Sequence, residues 1–101
     1  MKTRRTTHLR KIGEYIRLVA PRHLKRAWVF GSCAKGAARM ARDLDILVEA
    51  KPGLSLLEAS GLKIALEEDT GRRVDVVTRK YLHPRLRAEI EDTKVLVYEK
   101  H

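Results

Sequence analysis

From Asp43 to Ala50 the chain alternates without a break: Leu44, Ile46, Val48 and Ala50 fall on one face, and Asp43, Asp45, Leu47 and Glu49 on the other. A period of two is the pattern of a half-buried strand, so a sheet must form around it. The chain has 101 residues, enough for one domain and too few for two, and a single domain over residues 1–101 is expected. With 44% hydrophobic and 35% charged residues, a chain of this size buries roughly two thirds of its unfolded surface, which argues against disorder.

The flanking segments carry equally readable signals. Leu9, Ile12, Ile16 and Val19 recur at spacings of three and four, one helical stripe over Thr7 to Ala20 that Pro21 stops. Ala27-Trp28-Val29-Phe30 is a short apolar strand closed by Gly31-Ser32, and the Ala-rich stretch from Ala34 to Ala41 is compatible with a short helix. Ser55-Leu56-Leu57-Glu58 fits a capping box opening a helix that Gly71 ends. Arg73 to Thr78 is a third strand, Pro84 to Glu91 a helix begun by proline, and Lys94 to Glu99 a fourth strand. Helices alternating with four strands give an α/β (α+β) order.

Charge is distributed unevenly. The net is +9, with 22 Lys and Arg against 13 Asp and Glu, an excess that predicts a polyanionic ligand or partner. Residues 1–42 hold twelve bases and one acid, Glu14, whereas 43–71 hold seven acids and two bases. A plain nucleic-acid binder has no need of that acidic middle. The single Cys33 suits a reducing compartment and reads as a packing residue. The four histidines show no ligand spacing. Charges interrupt every apolar run before it reaches signal-peptide or membrane-helix length, so a cytoplasmic protein without membrane contact is expected.

Period two places Asp43 and Asp45 on the same face of their strand. Two carboxylates so close repel unless a cation sits between them, and hard oxygen ligands suit Mg²⁺ or Mn²⁺ held jointly with substrate phosphates. Gly31-Ser32, at the end of a buried strand and before a helix start, is a place where phosphate can approach free backbone amides. Either feature alone reads as an ordinary strand face or an ordinary turn. Together they form one pattern: Gly-Ser, ten residues, then Asp-x-Asp.

That pattern resembles the signature of the nucleotidyltransferase superfamily that includes DNA polymerase beta. The chain is similar to the superfamily's stand-alone minimal nucleotidyltransferases, the MNT proteins paired with HEPN toxins in toxin–antitoxin systems. Val29 to Gly36 resembles the family's strand and Gly-Ser loop, Asp43 to Val48 its catalytic strand, and Val74-Asp75-Val76-Val77 the strand of the third carboxylate. Pro84 to Arg87 and Val95 to Glu99 resemble the closing helix and strand.

The resemblance implies a small mixed sheet of about four strands with helices packed on one face. It divides the chain into a basic N-terminal helix over 1–24 and a catalytic core over 25–99. It implies that Asp43, Asp45 and Asp75 are catalytic and hold Mg²⁺ or Mn²⁺, and that Gly31, Ser32, Lys35 and Arg42 bind the nucleotide. The expected activity is transfer of a nucleoside monophosphate, AMP from ATP, to a hydroxyl, with a tyrosine of a HEPN-type toxin as acceptor and antitoxin action as the result. Two positions depart from the family: Arg42 stands where serine is frequent, and Lys35 replaces a frequent arginine, keeping charge but losing bidentate geometry. The alternative reading is a non-catalytic basic module, in which Lys2, Arg4, Arg5, Arg10, Lys11 and Arg17 grip nucleic acid or the chain neutralises a toxin by occlusion.

Overall fold

The computed structural model describes residues 4–31, 43–79 and 82–100. The elements in chain order are α1 (Arg4–Val19), β1 (Leu24–Phe30), β2 (Asp43–Ala50), α2 (Leu56–Thr70), β3 (Arg73–Thr78), α3 (Pro84–Thr93) and β4 (Val95–Glu99). The helix expected over 34–41 lies outside the described residues, as do Ser32, Cys33, Lys35 and Arg42.

The alternating segment becomes β2 over the residues the period predicts, and it lies inside the sheet, whose order is β3-β2-β1-β4. β1 pairs antiparallel with both β2 and β4, while β2 and β3 are parallel. The sheet is therefore mixed, and the parallel pair requires the crossover that α2 provides.

The helix ends follow local chemistry. At the start of α2, the Ser55 side chain accepts from the Glu58 N–H at 3.0 Å, while the Ser55 N–H donates to Glu58 Oε1 at 3.4 Å. Gly71 ends the helix in the left-handed region at φ 69°, its N–H bonded to the Glu67 carbonyl. Glu67 then ties the helix to the sheet, its Oε2 accepting from both Lys63 Nζ and the Val74 N–H of β3 at 3.0 Å. In α3, Pro84 occupies the first turn and His83 caps it, Nδ1 accepting from the Arg85 N–H at 3.1 Å.

Among the described residues the core has two parts, one on each side of the sheet. On one side Leu9, Ile12 and Ile16 of α1 and Leu62 and Leu66 of α2 pack on Ala27, Val29, Leu44, Ile46, Val48 and Val74. Each Leu or Ile fully buried there contributes about 1.5–3 kcal/mol. On the other side Trp28 and Leu47 pack with Leu82 and with Ile90 of α3. Packing on one face thus holds for α1 and α2, whereas α3 closes a smaller cluster on the opposite face. Phe30 and Trp28 belong to that second cluster, consistent with packing roles. Among the described residues no helix is long and apolar enough to cross a membrane.

Helix α1 sits close to β4, and a Cβ at Gly13 would fall on the Val97 carbonyl oxygen. Gly13→Ala gains about 1 kcal/mol of helix propensity but meets rigid backbone, an overpacking cost of about 1–3 kcal/mol. The variant is expected to lose net stability, read as a fall of several degrees in Tm, although alanine is the better helix former; an unchanged or raised Tm contradicts this packing.

Candidate active site

Asp43 and Asp45 lie at the start of β2, on the same face as Leu47 and hence on the α3 side of the sheet. The strands on either side bring two further groups to that point. In the parallel pairing, Asp45 is level with Asp75 of β3, and Asp43 is level with Arg73. In the antiparallel pairing, Asp45 is opposite Phe30, the last residue of β1. Three strands thus converge on one carboxylate. Neighbouring strands run about 4.8 Å apart, so Asp45 and Asp75 stand side by side with no residue between them.

Gly31 follows Phe30 at φ 74°, in the left-handed region. A Cβ there would come within 2.9 Å of Asp45 Oδ2. Both constraints select glycine: a side chain would strain the backbone and press on the carboxylate. The Gly31 N–H donates to Thr93 Oγ1 at 3.5 Å, a long contact that links the loop to the last residue of α3.

Burial pushes the Asp45 carboxyl above its usual range, and the negative charges of Asp75 and then Asp43 push it further in the same direction. Asp45 is half-buried, while Asp43 and Asp75 are exposed. Asp43 Oδ1 lies 4.0 Å from Arg73 Nε, at the limit of an ion pair. Among the described residues no three acidic, His or Cys groups already form a compact ligand set. The donor chemistry nevertheless fits a hard divalent cation: oxygen ligands only, and a desolvated carboxylate whose charge is opposed by its neighbours and would be offset by a cation.

The described structure thus brings together Gly31, Asp45 and Asp75, with Asp43 next to them on the strand. Ser32, Lys35 and Arg42 lie outside the described residues. Arg73 and Thr93 were not singled out from sequence. The parallel register that sets Arg73 level with Asp43 is a property of pairing, and the Thr93 contact spans 62 residues.

A nucleotidyltransferase-domain family model matches residues 9–97. The chain belongs to the nucleotidyltransferase family. This nucleotidyltransferase is 46% identical over 67 residues to a protein of Methanocaldococcus jannaschii provisionally named a protein adenylyltransferase, covering 66% of this chain and 72% of the relative. A solved structure provisionally named a minimal nucleotidyltransferase shares 38% identity and superposes with a TM-score of 0.74, covering 92% of this chain and 95% of that one. A chain from the complex of a tri-AMPylated HEPN toxin with its MNT antitoxin, from Shewanella oneidensis, has the same fold, with a TM-score of 0.69 at 21% identity over 95% of this chain and 73% of that one. The fold expected from the sequence resemblance is thus the observed one.

Asp45 has a folded-state pKa above its unfolded value, so between the two the folded chain holds the extra proton, and stability falls as pH rises through that window. At pH 7 and without divalent cations, the Asp45 charge is therefore a burden on the fold. Asp45→Asn is expected to raise Tm at pH 7 in chelator, with the gain vanishing below the ordinary carboxylate pKa. A lower Tm for the variant at pH 7 would show that Asp45 is a stabilising group instead.

Proposed function

We propose that this nucleotidyltransferase is a single catalytic domain over residues 1–101 that transfers AMP from ATP to a hydroxyl on a partner protein, the hydroxyl oxygen bonding to the α-phosphorus as the α–β bond breaks and pyrophosphate leaves, with a tyrosine of a HEPN-type toxin as acceptor, and so acts as an antitoxin. The observation that carries the catalytic part is the register of Asp45 against Asp75 beside the left-handed Gly31. The provisional adenylyltransferase name of the 46%-identical relative supports AMP as the transferred group. The shared fold of a chain from a complex that contains an AMPylated HEPN toxin supports the acceptor class.

In this reading Asp43, Asp45 and Asp75 hold Mg²⁺ or Mn²⁺. Bound divalent ions neutralise phosphate charge and make a hydroxyl a better nucleophile at neutral pH. The chain's own residues do the rest. Gly31, with no side chain, lets the triphosphate approach the backbone at the end of β1, and Ser32, Lys35 and Arg42 supply donors and positive charge for its oxygens. In this reading Asp75, exposed on the edge strand, accepts the proton of an incoming hydroxyl, while the more buried Asp45 anchors the site. The apolar cluster of Trp28, Leu47, Leu82 and Ile90 stiffens the sheet directly beyond the carboxylates.

The test is transfer of labelled AMP from ATP to a co-expressed HEPN-type neighbour, with the modified residue found by mass spectrometry. Asp75→Asn is expected to reduce transfer by about 10³-fold or more, as loss of a group acting on the reacting atoms does. Gly31→Ala is expected to reduce it while leaving a folded protein. If the triple Asp43→Asn, Asp45→Asn, Asp75→Asn variant still neutralised the neighbour, occlusion and not transfer would be the mechanism.

A further inference from the structure

The sheet sets out the candidate site in a fixed order across its α3 side: Gly31 after the end of β1, Asp43 and Asp45 on β2, and Asp75 on β3. Neighbouring strands are about 4.8 Å apart, so Gly31 and Asp75 stand roughly 10 Å from each other with the β2 carboxylates between them. Among the described residues β3 is an edge strand, and the flank of Asp75 away from β2 borders no further strand. In the transfer proposed above, an in-line displacement puts the attacking hydroxyl and the departing pyrophosphate on opposite sides of the α-phosphorus. With the triphosphate at Gly31, the acceptor hydroxyl arrives from the β3 side.

On β3 that face carries Arg73, Asp75 and Val77. Arg73 precedes Asp75 by two residues, about 7 Å along the strand, and is level with Asp43 in the parallel register. Its side chain is 73% exposed. Its one ion pair among the described residues is the 4.0 Å approach of Nε to Asp43 Oδ1, too long for a hydrogen bond and of little energetic weight at an exposed position. Two other bases on this side of the sheet are matched at close range: Arg26 by Glu49 and Glu99 at 2.5 and 2.6 Å, and Arg79 by Glu49 at 3.0 Å. Another acid within reach of the Arg73 charge, Glu67, already accepts from Lys63 Nζ and the Val74 N–H. The Arg73 guanidinium thus keeps its donors for a ligand at the flank from which the acceptor comes.

We propose that Arg73 selects the acceptor: its guanidinium binds a negatively charged oxygen group, a carboxylate or a phosphate, that the acceptor protein carries beside the hydroxyl to be modified. This role rests on the transfer reading above, which supplies the acceptor, and adds the chemistry by which the acceptor is recognised. An anion approaching from β3 meets Asp43 and Asp75 with like charge, and Arg73 is the group on that strand face that offsets them. A planar guanidinium takes either kind of oxyanion through two parallel hydrogen bonds, where a lysine would act only as a point charge. The spacing of about 7 Å between Arg73 and Asp75 equals two residues of extended chain, so the anion belongs within one or two residues of the side chain that bears the hydroxyl. The triphosphate at Gly31 lies across β2 from Arg73 and is held without it.

The experiment measures, by fluorescence anisotropy, the binding of short labelled peptides to the full chain in Mg²⁺ and ATP. Each peptide carries phenylalanine in place of the acceptor tyrosine, so no transfer occurs, and two residues away it carries glutamate, phosphoserine or glutamine. The wild type is expected to bind the glutamate or the phosphoserine peptide about tenfold more tightly than the glutamine peptide, and the tighter of the two identifies the source of the charge. Arg73→Gln should abolish that preference while leaving the glutamine peptide, ATP affinity and Tm unchanged. Arg10→Gln with Lys11→Gln, exposed on the helix across the sheet, should leave the preference intact. The proposal is overturned by a wild type that binds all three peptides alike or by a preference that survives Arg73→Gln. An equal loss in the α1 variant also overturns it, as general attraction to a chain of net charge +9, and so does a loss of ATP affinity in Arg73→Gln, which would assign the residue to the nucleotide. Transfer of AMP to the tyrosine forms of the peptides is read separately: its absence beside a preference that depends on Arg73 counts against the transfer reading alone.

Discussion

The parallel pairing of β2 with β3 is the constraint on which the site depends. It sets Leu44 beside Val74 on one face and Asp45 beside Asp75 on the other. Because side chains alternate strictly, a slip of one residue would bring Asp45 level with Val74 or Val76 and face Asp75 toward the helices. The hydrophobic side of the pair prevents that slip. Leu44, Ile46, Val48 and Val74 are almost wholly excluded from water beneath α2, and reversing their faces would expose them at about 1.5–3 kcal/mol each. The carboxylates are therefore held together by the burial of the residues between them. The Glu67 contact to the Val74 N–H fixes the same register from the helix side.

This arrangement places stability and chemistry in opposition at one residue. Three like charges converge where an inert protein would separate them, and Asp45 bears most of the consequence because it is the least exposed of the three. Gly31 answers a second local demand, a left-handed turn in which any added Cβ would press on the carboxylate. Like-charged clusters of this kind persist only when the surrounding structure determines them and are commonly found at functional sites. Here the core on the α1 and α2 side supplies the determination, and the carboxylates stand on the opposite face, beside the smaller α3 cluster.

Much of this was legible from sequence because it is local. The alternation of Asp43–Ala50, the capping box of Ser55 and Glu58, the left-handed stop at Gly71 and the proline start of α3 each depend on residues a few positions apart. The features that escaped depend on distant partners. β1 begins at Leu24 and not at Ala27, because the charge of Arg26 is matched across the sheet by Glu49 and Glu99 at 2.5 and 2.6 Å. Nothing near Arg26 in the chain announces those partners. The division of helices between two faces escaped for the same reason: Ile90 belongs with Trp28 and Leu47, a grouping visible only once the strand order is known. Of the candidate site, Gly31, Asp43 and Asp45 were readable from spacing and Asp75 from the family resemblance, whereas the Arg73 and Thr93 contacts were not.

The central claim is that Asp45 and Asp75, brought level by the strand register, act as one site for a divalent cation. The most direct measurement is Mn²⁺ binding in the presence of ATP, followed by electron paramagnetic resonance, for the wild type, Asp45→Asn, Asp75→Asn and the double variant. The account predicts that each single change weakens Mn²⁺ binding strongly and that the double variant is little worse than either, since the two groups share a ligand. Binding that is unchanged in both single variants, or losses that simply add, would contradict it.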